Sequence, residues 1–153
     1  MRHEGAQGTE QVERWRRVLY AEVQATGRAI ESLRSVPEGS RAGGPYAEAC
    51  RRLAHVQMAR HEWLARLGHV ERRPWVQFPE WDVETTRADA ARLDALWSGY
   101  LASLVDAELR RPVHYASTEG TPWSNTVDDI LTHVFNHSTY HRGQIAMLVR
   151  AAG

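Results

Sequence analysis

With 153 residues, 42% hydrophobic and 25% charged, the chain is long enough for one globular domain that hides roughly 68–70% of its unfolded surface. Nineteen basic residues balance nineteen acidic ones and all the basic ones are arginine, which argues against a nonspecific nucleic-acid binder and excludes Schiff-base or phosphate-loop lysine chemistry. The lone Cys50 cannot form an internal disulfide or a thiolate cage, and with a polar start and no run near 20 apolar residues neither a signal peptide nor a membrane span is expected, which points to the cytoplasm.

Residues 1–8 are expected to be disordered, with a single domain over residues 9–153. A first helix starts with Thr9 as N-cap and Glu10 in its first turn. Val12, Trp15, Leu19, Val23, Ile30 and Leu33 then recur at helical spacing until the chain breaks before Pro37. The stretch PEGSRAGGP is a loop by composition, and Pro45 suits the first position of a second helix over residues 46–67, which Gly68 ends. Residues 68–85 have no helical period, and they are long for a link between antiparallel neighbours. They carry Trp75, Phe78 and Trp81, which predicts an ordered crossover packed over the helices. A third helix follows from about Thr86, with Asp89 in its first turn. Its inner side is expected to be Leu93, Leu96, Trp97, Tyr100, Leu101, Leu104 and Val105, and Arg111 and Pro112 close it. The piece RPVHYASTEGTPW predicts a small β-hairpin or irregular excursion. Ser124 or Thr126 caps the last helix, Asp128 and Asp129 sit near the positive end of its dipole, and it runs to about Ala151. The expected fold class is all-α with four helices.

Eight histidines are the surplus to explain. In the last helix, THVFNHSTYHRGQ spaces His133, His137 and His141 four apart. Each step of four turns about 40° and climbs about 6 Å, so the rings form a slanting stripe in which either adjacent pair can share a metal ion. His55 lies on the core-facing stripe of the second helix with Met58, Ala59 and Glu62, where it can meet the last helix across the core; the alternative is a buried histidine satisfied by a backbone or carboxylate partner. His61 is turned about 120° from His55 and is assigned to the surface together with His3, His69 and His114. Cys50 reads as a small buried hydrophobe.

The run Trp63-Leu64-Ala65-Arg66-Leu67 following His55, and His137-Ser138-Thr139-Tyr140-His141-Arg142-Gly143-Gln144 in the last helix, resemble the DinB-like (YfiT-like) four-helix metalloprotein superfamily. The HxxxHRGQ string is its most specific mark. The resemblance covers nearly the whole chain, Gly120 included, and departs in the first helix, where Trp15 and Tyr20 stand in place of the family's tyrosine-asparagine-tryptophan motif. It implies an up-down-down-up bundle with a long crossover between helices two and three and a short hairpin-like excursion before helix four. It also implies one metal ligand from the second helix and two from the last, His55, His137 and His141, while His133 matches a histidine that is not usually a ligand. Members are assigned as thiol-dependent transferases or isomerases and as metal-dependent hydrolases, and many have no known reaction.

Three neutral imidazoles leave the charge of one divalent ion uncompensated and positions on it open, the pattern of a catalytic site. Such an ion acidifies a water, or activates a small-molecule thiol. Zinc and nickel suit imidazole best, with manganese and iron next. No Glu-x-x-His pair is present, which disfavours a di-iron carboxylate centre. Glu62 is a candidate general base or an ion-pair partner of Arg66. Tyr140 and Gln144 are further candidates, Gln144 by orienting a ligand's second nitrogen. His133 and Asp129 extend the stripe behind the ligands, Asp129 alternatively capping the helix. Arg142 projects away into a surface or interface ion pair, and Trp63 or Trp97 lines the pocket. The expectation is a metal-dependent enzyme, thiol S-transferase-like or a hydrolase, acting on a small-molecule thiol or electrophile, with no nucleic-acid or membrane partner and as a homodimer. The alternative is a non-catalytic, metal-stabilised bundle acting as a structural or stress-related homo-oligomer.

Overall fold

Among residues 9–153, which a computed structural model describes, the chain forms four long helices and one hairpin; the disorder expected of residues 1–8 lies outside the described residues. Helix α1 (Glu10–Arg34) buries Val12, Trp15, Leu19, Ile30 and Leu33 as their spacing predicts, with Val23 only partly covered. Thr9 stands at the N-cap, but its side chain caps nothing. The Asp106 carboxylate does so instead, accepting from Gln11 N–H at 3.1 Å and Val12 N–H at 2.9 Å, so a residue far along the chain satisfies the amides that a helix start leaves without partners.

Helix α2 (Gly44–Arg66) begins two residues before the expected start and carries Pro45 in its first turn. Every residue from 53 to 64 is buried, including Arg60, His61 and Glu62, because α3 and α4 both pack against this helix and the crossover reaches it. The surface assignment of His61 is thereby corrected: Nε2–H donates to Glu71 O at 2.9 Å and Nδ1 accepts from Arg92 at 3.1 Å. Gly68 ends the helix at φ +79, a conformation glycine adopts without strain.

The crossover is pinned more by arginine than by aromatic burial. Arg73 forks onto Asp89 of the next helix at 3.0 Å through both Nη atoms and also donates to Gln57 O, while Trp75, Phe78 and Trp81 stay partly exposed. Helix α3 (Val83–Ser103) starts three residues earlier than expected, because Asp82 accepts from Thr85 N–H at 2.7 Å and caps it, and Thr86 is buried inside the first turn. The helix stops at Ser103 and a 3-10 turn, Asp106–Arg110, follows. Leu104 is buried as expected, but Val105 is 47% exposed, since the helical period no longer applies there.

Strands β1 (Pro112–Ala116) and β2 (Pro122–Thr126) form an antiparallel hairpin with Val113 opposite Asn125 and Tyr115 opposite Trp123. The hairpin leads into α4 (Val127–Ala152). Of the two expected caps, Thr126 is the one used: its Oγ1 accepts from Asp129 N–H at 3.1 Å and the Asp129 carboxylate accepts from Thr126 N–H at 3.2 Å. Thr126→Ala removes one side of this box and should cost about 1 kcal/mol, lowering the melting temperature by roughly 2–4 °C; an unchanged thermal transition would count against the cap.

Helix α4 packs on α1 and α2, and α3 packs on the same two helices. The larger core cluster joins Trp15, Trp97, Leu101 and Phe135, and a smaller one joins Ile30, Leu33, Leu53 and Ile145. No helix among the described residues is long and apolar enough to cross a membrane.

Candidate metal centre

Of the two histidine pairs on α4, the second meets α2. His55 Nε2 lies 3.0 Å from His137 Nε2, and the His141 ring stands 4.7 Å from His55 and 4.5 Å from His137, centroid to centroid. One ligand atom from each of His55, His137 and His141 falls within 4.8 Å of the others, a grouping that could hold a metal ion. His133 is 6.0 Å from His137 and turns its ring against Trp63. The capping box takes Asp129, the alternative role expected of it, and the His133 ring packs edge to face against Trp63.

The outer nitrogens decide what the inner ones can do. His55 Nδ1–H donates to Gln77 O at 2.6 Å, and His141 Nδ1–H donates to Gln144 Oε1 at 2.9 Å. Gln144 Oε1 also accepts from Arg52 at 3.0 Å, and its amide nitrogen donates to the Tyr140 hydroxyl. Both partners of the rings are acceptors, so both protons sit on Nδ1 and both Nε2 lone pairs are free to bind a cation.

Burial lowers the pKa of all three rings. His137 is pushed down to about 3, by burial first and then by His141, His55 and His133. In His55 the Gln77 bond opposes burial and in His141 the Gln144 bond does, without reversing it. The rings are neutral near pH 7, the state in which imidazole ligates a metal. Three neutral nitrogens fit a borderline divalent ion at roughly 2.0–2.1 Å better than a hard, oxygen-seeking one. Because the folded pKa values lie below the ordinary value of 6.5, the unfolded chain binds more protons as pH falls beneath that value. Stability of chelator-treated protein should be flat above about pH 6.5 and decline steadily toward about pH 3, which urea midpoints across that range will test. A midpoint that rises on acidification contradicts the neutral rings.

A cleft of about 290 Å³ opens beside the histidines, its wall including His55, His137, His133, Trp63, Trp75 and Trp123. Glu62 is on this wall, but its carboxylate is held by Arg72 at 2.6 Å and Arg66 at 3.2 Å, so of its two expected roles the ion pair is the one formed. Tyr140 is 64% exposed; its ring lies edge to face with His141 at 5.2 Å, and its hydroxyl accepts from Gln144. Trp63 lines the cleft, whereas Trp97 is buried in the core. Arg142 pairs with buried Glu22 at 2.5 Å, and Cys50 is half-buried. His69 and His114 are exposed as expected, and His3 lies outside the described residues. Sequence reasoning missed Gln77 and the aromatic residues of the hairpin. A carbonyl in an aperiodic crossover has no sequence signal, and the side on which a hairpin folds depends on contacts remote in the chain.

A family model described as "DinB family" matches residues 9–153. The protein called "Protein DinB" from Bacillus subtilis (strain 168) is 39% identical over 46 residues, which is 30% of this chain and 27% of that protein. No solved structure matches.

Proposed function

Since the chain belongs to the DinB family, we propose that it is a metal-dependent enzyme in which His55, His137 and His141 hold one divalent ion, zinc or nickel by the softness of the donors. The reaction assigned to it is transfer to or from a small-molecule thiol, with hydrolysis as the variant. The single observation behind this reading is that one ring nitrogen from each of the three histidines lies within 4.8 Å of the others, while Gln77 O and Gln144 Oε1 hold the Nδ1 protons of His55 and His141. When bound, such an ion supplies Lewis acidity, lowering the pKa of a thiol or water.

The protein's own part is positioning and exclusion of water. His55 and His137 border the cleft, which supports approach of a reactant from that side. Trp63, Trp75 and Trp123 give its wall apolar surface, and Glu62 is held there in ion pairs with Arg66 and Arg72. The reading takes the four helices in up-down-down-up order, the crossover carrying the chain along the bundle between α2 and α3, and takes a homodimer as the working form.

The test is elemental analysis of protein grown with zinc and nickel, followed by cobalt substitution and titration with a simple thiol. About one ion per chain and a new thiolate-to-metal absorption band are expected. Absence of stoichiometric metal sinks the proposal. A tightly held ion that takes no thiol, and whose removal unfolds the protein, favours the structural alternative.

A further inference from the structure

The cleft beside the histidines has a second charged feature. Arg66 stands eleven residues after His55 on α2, a rotation of only about 20° and a rise of about 16 Å, so the two residues lie on one face at opposite ends of the same stripe. The Arg66 guanidinium carbon lies 4.5 Å from the Trp63 ring centroid and 4.7 Å from that of Tyr115, and the two rings, 5.1 Å apart and edge to face, form a corner against it. Its hydrogen-bonding edge is sparsely used. Nη2 donates to Ala116 O at 3.2 Å, and Nε lies 3.2 Å from Glu62 Oε1 but is buried without the alignment of a hydrogen bond. Of five donors, one is used among the described residues, in a side chain only 10% exposed that lines the cleft.

Charge points the same way. Glu62 is shared by Arg66 and Arg72, so two guanidiniums on one carboxylate leave a positive charge at this end. The rest of the wall, Trp75 and Trp123 with the hydroxyls of Ser117 and Thr118, adds no compensating anion. A planar guanidinium held in an aromatic corner and short of acceptors matches a carboxylate.

We propose that Arg66 is a specificity-determining residue: it takes the carboxylate of an elongated small molecule whose other end reaches His55 and His137. This deepens the metal reading and rests on it for the reacting end. The aromatic corner and the strand β1 carbonyl hold the fork in place. The apolar middle of the ligand lies along the tryptophans.

The probes are 8-mercaptooctanoate and 8-mercaptooctanol, matched except for the terminal charge, with affinity for the cobalt-loaded protein read from the tryptophan fluorescence. The acid should bind roughly tenfold or more tightly than the alcohol; equal affinities in the wild type overturn the assignment. Arg66→Gln should erase the preference while leaving the affinity for the alcohol in place, which a purely structural role for Arg66 would not do. A preference that survives Arg66→Gln also overturns it, since the carboxylate would then be bound elsewhere. Should that variant fail to fold, Arg66→Lys replaces it: loss of the fork should lower the preference severalfold, and an undiminished preference overturns the assignment. The thiolate band of the cobalt protein with the same two compounds reports on the metal reading separately, so either idea can fail alone.

Discussion

His137→Ala should abolish stoichiometric metal binding and leave the helices folded. His137 is the middle ligand of the cluster, with its Nε2 3.0 Å from that of His55 and its ring 4.5 Å from that of His141. Without it, His55 and His141 are left as two ligands where a catalytic zinc site uses three. The loss in affinity should exceed the roughly 10–100-fold expected when only the partner behind a ligand is removed. That smaller loss is the expectation for Gln144→Ala, which frees the His141 Nδ1 proton and leaves all three rings in place. Alanine is a strong helix former, and the His137 ring it replaces is neutral near pH 7, so no buried charge loses a partner. Its melting temperature after chelation should therefore stay within a few degrees of that of the chelated wild type. Elemental analysis and a thermal scan on the same samples decide the matter; His137→Ala protein that still holds about one ion per chain would place the ligands elsewhere.

Asp94→Ala should be among the most damaging substitutions outside the centre. Arg60 is 2% exposed, donating to Asp94 Oδ1 at 2.7 Å and to Gln57 Oε1 at 2.9 Å. Removing the carboxylate leaves a buried guanidinium with a neutral amide for company. Breaking such a pair from one side costs about 3 kcal/mol, toward the low end of its usual range because Asp94 itself is a quarter exposed and water can follow. For a chain of this length that is a fall of roughly 6–12 °C in melting temperature. The double variant Arg60→Met with Asp94→Leu removes both charges together and should recover most of the loss. If Asp94→Ala melts within a degree or two of the wild type, water or another residue is satisfying Arg60 and the packing of α2 is looser than described.

The same residues explain what could be read in advance and what could not. The stripes of α1 and α4 were legible because each helix has one wet face, and spacing then reports burial. On α2 the signal misleads: Arg60 and His61, beside Glu62 on the core-facing stripe, look like a solvated face, yet all three are buried. Their polar atoms are satisfied by Asp94, Arg92, Glu71 O, Arg66 and Arg72, most of them brought in by α3 and by the crossover. Periodicity sees a residue's own helix and not the groups that fold over it. The histidine stripe had the converse ambiguity. Two i, i+4 pairs were equivalent by spacing, and the family resemblance together with the axial position of His55 on α2 distinguishes them. The early start of α3 was hidden by local chemistry, since Val83 and Thr85-Thr86 have weak helix propensity and Asp82 offsets this by capping.

The Asp106 cap on α1 has a consequence for the order in which the chain can be completed during synthesis. The two amides that Asp106 satisfies belong to Gln11 and Val12, 95 and 94 residues before it in the chain. Until that carboxylate is made, the opening turn of α1 has only solvent for these two N–H groups. The segment after α3 thus joins two parts of the domain: it caps the first turn of α1 and leads directly into the hairpin that walls the cleft.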